Sequence, residues 1–331
     1  MADPQGVLIV GEVTNGQLDE TTKELLAHGR NVADKLGEHL SVALLGENLG
    51  ELPKEAIAFG ADTVYVVADP LLKEFQVDVH LAALAKVSQE HSPRVILLAK
   101  TQVGSEVGPR LAFRLDTGLV QDCTEVSLDL EAKRLLGHRP IFGGNCTAVV
   151  ACSWEPMMAV IRPKAAEPLE RDDIRQGEVV TVLPGLDPSI AKNRVVERVQ
   201  EKQAGLRVED AAIVIAGGRG LGGPDPFFGE LQHLADMLGA AVGGTRAVVD
   251  AGWVPYSYQI GLTGKTITPD LYITVGISGA SQHMAGCRGA KVIVAINRDA
   301  ECNIFKEARY GVVGDWTKVL TAFTEQIREL M

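Results

Sequence analysis

A chain of 331 residues, 46% hydrophobic and 23% charged, is long enough for about two domains of roughly 150 residues, each with its own core. That balance excludes a disordered or fibrous chain and a miniprotein that needs disulfides or a metal to fold. Lys+Arg 32 against Asp+Glu 43 gives a net charge of −11, which argues against a partner held through a phosphate backbone, nucleic acid above all.

The first hundred residues alternate apolar β-rich runs with segments of helical period. Val7 to Val13, Ser41 to Leu45, Thr63 to Ala68 and Val95 to Ala99 are predicted as buried strands. Between them, Thr21 to Leu36 sets Leu25, Leu26, Val32, Ala33 and Leu36 on one helical face, and Asp78 to Gln89 does the same with Val79, Ala82, Ala83 and Val87. Strands joined in this way by helices predict right-handed βαβ crossovers and a parallel sheet. From Thr124 the texture changes to the short runs Thr124 to Leu130, Leu135 to Arg139, Thr147 to Cys152 and Met157 to Ile161, expected to add antiparallel strands to that sheet. A polar stretch punctuated by Pro163, Pro168, Pro184 and Pro188 leads into the charged run Arg194 to Arg207, which places the domain boundary near Gly205: residues 1–205 and 206–331. Strands at Ile213, Ala241, Leu271 to Gly276 and Val292 to Ile296, with a helix over Phe227 to Leu238, then make a second α/β unit.

Several chemistries find no support in the residues. The apolar runs Val7 to Val10 and Ala211 to Ala216 are strand-sized, far below the roughly 20 residues that span a bilayer. Met1 to Gln5 lacks the basic and apolar regions of a secretory signal, and five cysteines without a Cys-x-x-Cys predict reduced, mostly structural thiols. A cytoplasmic location without a Cys-rich metal site follows as the expectation. His28, His39, His80, His91, His138 and His233 share no ligand spacing and are expected to be solvated or structural.

The run Gly217 to Gly223 follows a strand, and Gly218, Gly220 and Gly223 formally satisfy G-x-G-x-x-G, the phosphate-cradling pattern of an NAD-dependent Rossmann oxidoreductase. Pro224 and Pro226 interrupt the helix that should receive the pyrophosphate, and no acidic residue ends the next strand. Three polar clusters stand where open α/β sheets place ligands, at strand C-termini: Thr245-Arg246, Ile277 to His283, and Asn297-Arg298-Asp299. Small residues, hydroxyls, amides, a guanidinium and an imidazole suit a dinucleotide; a non-catalytic adenine-nucleotide-binding protein built on the first domain is the other alternative.

Taken in order, Gly217 to Gly220, Thr245 to Gly252, Gly261 to Lys265, Leu271 to His283 and Ala295 to Asp299 closely resemble the FAD domain of the electron transfer flavoprotein alpha subunit. Arg139 to Asn145 and the α/β region around it resemble that family's first domain, so the resemblance covers nearly the whole chain. It implies an N-terminal parallel-sheet, nucleotide-hydrolase-like domain that contacts a beta subunit, and a C-terminal Rossmann-like domain that binds FAD non-covalently. The implied role is an electron carrier with no substrate chemistry of its own, working between an acyl-CoA dehydrogenase or similar flavoenzyme and a quinone reductase or ferredoxin.

By position, the resemblance implies that Arg246 lies over the isoalloxazine, that the Thr263 hydroxyl bonds flavin N5 and that His283 lies near the flavin O2 edge. Gln259, Ile260, Gly261 and Leu262 form the loop beside the flavin; Ser278 and the Gly279-Ala280 backbone contact the pyrophosphate; Thr245 and Arg219 are further FAD contacts, and Asn297 and Asp315 belong to the adenosine end. Ser281, Gln282 and Trp316 complete the expected cofactor-binding set, with shielding of the flavin or plain packing as the two readings of Trp316. A guanidinium a few Å from a reduced, anionic flavin attracts it by about 4 kcal/mol at an intermediate dielectric, so Arg246 is expected to tune potential. Members that serve respiratory fatty-acid oxidation read Gly-Gln-Thr-Gly-Lys, whereas this chain has Leu262 in the Gln place and Thr245 for a frequent Ser. That departure resembles the anaerobic, electron-bifurcating branch, in which the beta subunit holds a second FAD where others hold AMP and NADH reduces it.

Overall fold

The structure, a computed structural model, describes residues 4–142, 146–193, 195–197 and 206–330. It divides into two compact units, Met1–Ile141 with Thr147–Arg198, and Val199–Met331 with Phe142–Cys146. The boundary expected near Gly205, and the Gly143 to Asn145 part of the first-domain motif, lie outside the described residues.

In the first unit, apart from the two-residue strands Val13–Thr14 and Gln17–Leu18 that pair with each other, the strands are β1 (Val7–Gly11), β2 (Leu40–Gly46), β3 (Thr63–Ala68), β4 (Val95–Ala99), β5 (Leu119–Cys123), β6 (Glu125–Asp129), β7 (Arg134–Ile141), β8 (Cys146–Ala151), β9 (Met157–Ile161) and β10 (Glu178–Thr181). Seven of them form one sheet in the order β10-β3-β2-β1-β4-β9-β5, and the pairs are parallel. Helices α1 (Glu20–Leu36), α2 (Leu52–Ala58), α3 (Val77–His91) and α4 (Gln102–Arg114) accompany it. The continuous apolar strands follow from burial on both faces. Val7 and Ile9 point into a core with Leu25, Leu26 and Val32 of α1, while Leu8 and Val10 point into another with Val79, Leu84 and Val87 of α3. Asp19 caps α1, its Oδ1 accepting the Thr21 N–H at 3.0 Å, and Gly37 ends the helix at φ 68°.

Two expectations change here. The runs after Thr124 do not extend the main sheet: β6 and β7 pair antiparallel with each other and form, with β8, a separate three-stranded sheet. Met157–Ile161 does join the main sheet, but parallel, and all five of its residues are buried. A run apolar at every position signals two covered faces, as a central parallel strand has. The polar stretch after Arg162 also holds one strand, β10, paired parallel to β3.

The second unit holds β11 (Ile213–Gly217), β12 (Ala241–Thr245), β13 (Gln259–Ile260), β14 (Leu271–Val275), β15 (Val292–Asn297) and β16 (Tyr310–Val313), a parallel sheet in the order β13-β12-β11-β14-β15-β16. The predicted helix over Phe227 to Leu238 is broken at Gly229 into α5 (Asp225–Phe228) and α6 (Glu230–Leu238). Val214, Ala216 and Tyr272 supply one core; Ile215, Ile273 and Val275 supply the other, against which Trp253 and Trp316 pack. The further helices are α7 (Arg246–Asp250), α8 (Ser281–Met284), α9 (Ile304–Glu307) and α10 (Trp316–Leu330). Among the described residues no helix is long and apolar enough to cross a membrane, and no cluster of metal-ligating side chains occurs.

Candidate functional site

Because every strand of the second sheet runs the same way, Gly217, Thr245, Val275 and Asn297 end on one edge, and the loops after them enclose a cavity of about 580 Å³. Its wall contains Arg219 and Gly220 after β11, Thr245, Arg246 and Asp250 after β12, Ile260 to Thr263 at and after β13, Ile277, Ser278, Ala280, Gln282 and His283 after β14, and Asn297 to Asp299 at the end of β15. The three polar clusters of the sequence therefore converge. Gly218 and Gly220 have a packing reason of their own: a Cβ at either would stand 2.3 to 2.8 Å from the backbone of Gly276. The glycine run lets two loops touch. With α5 only four residues long and started by prolines, it does not form the loop-and-helix cradle that a pyrophosphate would need in the NAD reading.

Of the residues expected at the site, Arg219, Thr245, Arg246, Ile260, Gly261, Leu262, Thr263, Ser278, Ala280, Gln282, His283 and Asn297 line the cavity. Gln259, Gly279, Ser281, Asp315 and Trp316 do not. Asp315 instead caps α10, its Oδ1 accepting the Thr317 N–H at 2.9 Å. Trp316 packs with Leu320 and Phe323 against the core. Gly279 holds φ 76° with its backbone against Ile304, and Gln259 is buried beneath the loop it begins. The cavity also takes in Arg298 and Asp299 of the third polar cluster, together with Asp250 and Cys302, which sequence reasoning did not assign a role and which each follow an assigned strand-end residue by five positions.

Charge in the cavity favours an anion. Arg219, Arg246 and Arg298 face it against Asp250 and Asp299, and the Arg246 Nε donates to Asp250 Oδ2 at 3.2 Å, an exposed pair weakened by water. Asn297 ties two loops together: its Nδ2 donates to the Ile277 carbonyl at 2.9 Å and its Oδ1 accepts the Asp299 N–H at 3.1 Å.

His283 is buried and bonded at both ring nitrogens. Nδ1 lies 3.0 Å from the Ile260 carbonyl oxygen, which only accepts, so Nδ1 carries the proton; Nε2 then accepts from the Tyr272 hydroxyl at 2.8 Å. Burial without a counter-charge pushes its pKa down to about 4. The imidazole expected at the flavin edge is thus a neutral wall of the cavity, its nitrogens turned to the protein. Burial likewise pushes the Cys287 thiol up to about 12, so it is a structural thiol.

Comparison with known proteins agrees with this layout. Residues 7–184 match the electron transfer flavoprotein domain, and residues 207–288 match the electron transfer flavoprotein FAD-binding domain. The electron transfer flavoprotein subunit alpha of Thermoanaerobacterium thermosaccharolyticum is 42% identical over the whole of both chains, and that of Bacillus subtilis is 40% identical over 98% of each. The acryloyl-CoA reductase electron transfer subunit beta of Anaerotignum propionicum is 35% identical over 96% of this chain and 94% of its own. With both domains matched and relatives aligned from end to end, the chain belongs to the electron transfer flavoprotein alpha subunit family.

Proposed function

We propose that the cavity at the strand ends of the second unit seats FAD, and that the chain is the FAD-bearing half of a heterodimer with a homologous beta subunit. The observation that carries this is the convergence of three strand-end clusters on one cavity, inside and just beyond the stretch that matches the FAD-binding domain. The donor set fits the group. Guanidiniums of Arg219 and Arg298, the Ser278 hydroxyl and the Gln282 amide suit the diphosphate, while Ile260, Leu262 and Ile277 offer apolar surface to a planar ring. FAD, when bound, supplies the electron-carrying chemistry. The residues of the chain bind it, exclude water and set the local charge: Arg246 favours an anionic ligand form, and neutral His283 adds no charge.

For the electron donor we propose an acyl-CoA dehydrogenase-type flavoenzyme, a reading supported by the relative named for acryloyl-CoA reductase. The acceptor is a quinone reductase or, through an NADH-reducible second FAD in the beta subunit in place of AMP, ferredoxin. Leu262, apolar and 45% exposed at the cavity, favours the second arrangement by the resemblance it carries. Arg139 of the first unit, whose buried Nε has no hydrogen-bond partner among the described residues, is the residue we assign to the nucleotide of the beta subunit. The test is a visible spectrum of the co-purified heterodimer followed by anaerobic NADH titration. Two FAD reduced by NADH support the ferredoxin route; one FAD with AMP, inert to NADH, supports the simple carrier; an intact heterodimer without flavin refutes the reading.

A further inference from the structure

The loop that passes the cavity at residues 259–265 is a closed turn. The Gln259 carbonyl accepts the Lys265 N–H at 2.7 Å, the Lys265 carbonyl accepts the Gly261 N–H at 3.2 Å, and the Gly261 carbonyl accepts the Gly264 N–H at 3.0 Å. Two outer contacts pin it, Leu262 N–H to the Gln282 carbonyl at 2.7 Å and the Tyr256 hydroxyl to the Thr263 carbonyl at 2.7 Å. Gly264 is needed for the closure, since a Cβ there would stand 2.3 Å from the Gln259 carbonyl oxygen and 2.8 Å from the Gln259 Cγ. The Gln259 side chain is folded inside this turn, 3% exposed and absent from the cavity wall.

From that position its Nε2 donates to Thr263 Oγ1 at 3.1 Å. A hydroxyl has one proton to give, and an amide N–H can only donate. Thr263 therefore accepts from Gln259, and its own proton has no acceptor among the described residues. Thr263 is exposed and lines the cavity, so that proton is available there. We propose that Gln259 is a positioning residue that never touches the cofactor: it fixes the polarity of the Thr263 hydroxyl, making Thr263 a hydrogen-bond donor to an acceptor atom of the bound group. The inference rests on the FAD reading above and names what enforces one of its contacts. It also accounts for a glutamine, and not an apolar residue, under a tight turn, since a buried amide requires a partner and this one has Thr263.

The test inverts the polarity. In Gln259→Glu, assayed at about pH 8.5 so that the buried carboxyl is ionised, the carboxylate only accepts, so Thr263 gives its proton inward and turns a lone pair to the cavity; Gln259→Met removes the inner bond and leaves the hydroxyl free to rotate. Both are made in the heterodimer with the beta subunit, alone and combined with Thr263→Val, and FAD affinity of the flavin-stripped complex is measured by fluorescence titration. A net hydrogen bond is worth about a tenfold change. Gln259→Glu and Thr263→Val should each weaken FAD binding about tenfold, Gln259→Met less, and Gln259→Glu should add less than about twofold in the Thr263→Val background. The potential of bound FAD should likewise move in Gln259→Glu and not between Thr263→Val and the double variant. Wild-type affinity in Gln259→Glu, or full losses that multiply in the double variant, would overturn the proposal and leave Gln259 a packing residue. A wild-type heterodimer that binds no FAD would instead refute the reading beneath it.

Discussion

Replacing Tyr272 by phenylalanine removes one oxygen from a phenol that is 0% exposed and whose hydroxyl donates to His283 Nε2 at 2.8 Å. Nδ1 is committed as donor to the Ile260 carbonyl, so the ring cannot change tautomer to compensate, and Nε2 is left as a buried lone pair without a donor. An orphaned buried acceptor costs about 1–3 kcal/mol, and the oxygen-sized void adds little. The second unit should therefore lose about 2 kcal/mol, a shift of more than tenfold in its opening equilibrium, while the first unit is unchanged. Pulse proteolysis in urea, read separately for fragments of each unit, measures this. A loss under about 0.5 kcal/mol would mean that water or a side-chain rearrangement satisfies Nε2, and the tautomer argument would fail with it.

Two further predictions concern charge. The His283 pKa of about 4 lies below the usual 6.5, so between those values the unfolded chain binds a proton that the folded one refuses. The second unit is thus fully stable above pH ~6.5 and loses up to about 3 kcal/mol as pH falls toward 4. In the first unit Glu12 and Glu24, raised to about 7 by burial, hold protons that the unfolded chain releases near 4.5, so that unit weakens as pH rises from 4.5 through 7. Pulse proteolysis at about pH 5 and pH ~7.5 should move the two units in opposite directions, and parallel movement would contradict both assignments. For Arg246, 66% exposed at its side chain, the near-water end of the Coulomb scale applies, about 1 kcal/mol at ~4 Å or on the order of 40 mV for one electron. Arg246→Ala should lower the potential of bound FAD by that amount and Asp250→Asn should raise it; an unchanged titration in both would remove the pair from the flavin's field.

The parts of the fold that were legible in the sequence are those where one physical cause acts alone. Val7 to Val10 and Val95 to Ala99 announce themselves because both faces are covered, and Thr21 to Leu36 because its apolar face repeats without interruption. Where two causes compete the pattern blurs. The α4 helix carries Gly104, Gly108 and Pro109; its glycines serve close approach to the sheet and not helix propensity, and the helical period is obscured there. Strand β10 is an edge strand with three of its four residues exposed, so nothing apolar marks it within the proline-punctuated stretch. The antiparallel expectation failed for Met157–Ile161 because pairing partners are not encoded locally. Its neighbours in the sheet, β4 and β5, end at Ala99 and Cys123, far back along the chain, with the whole of α4 and the separate antiparallel sheet in between.

The site shows the same division between what residue type reveals and what only geometry reveals. Motifs place residues at strand ends, and a parallel sheet guarantees that strand ends meet, so Thr245-Arg246, Ile277 to His283 and Asn297 converge as their positions imply. Motifs do not say which way a side chain points. Asp315 spends its carboxylate on a helix cap, Gln259 turns beneath its loop, and His283 turns both nitrogens away from the cavity its ring lines. In each case a polar atom finds a protein partner first, and what remains for a ligand is what that partner leaves over: for Thr263 a proton, for His283 an uncharged ring. An electron carrier is well served by this arrangement. Its cofactor gains and loses negative charge, and a histidine that stays neutral down to about pH 4 leaves the response to that charge with the guanidiniums of Arg219, Arg246 and Arg298.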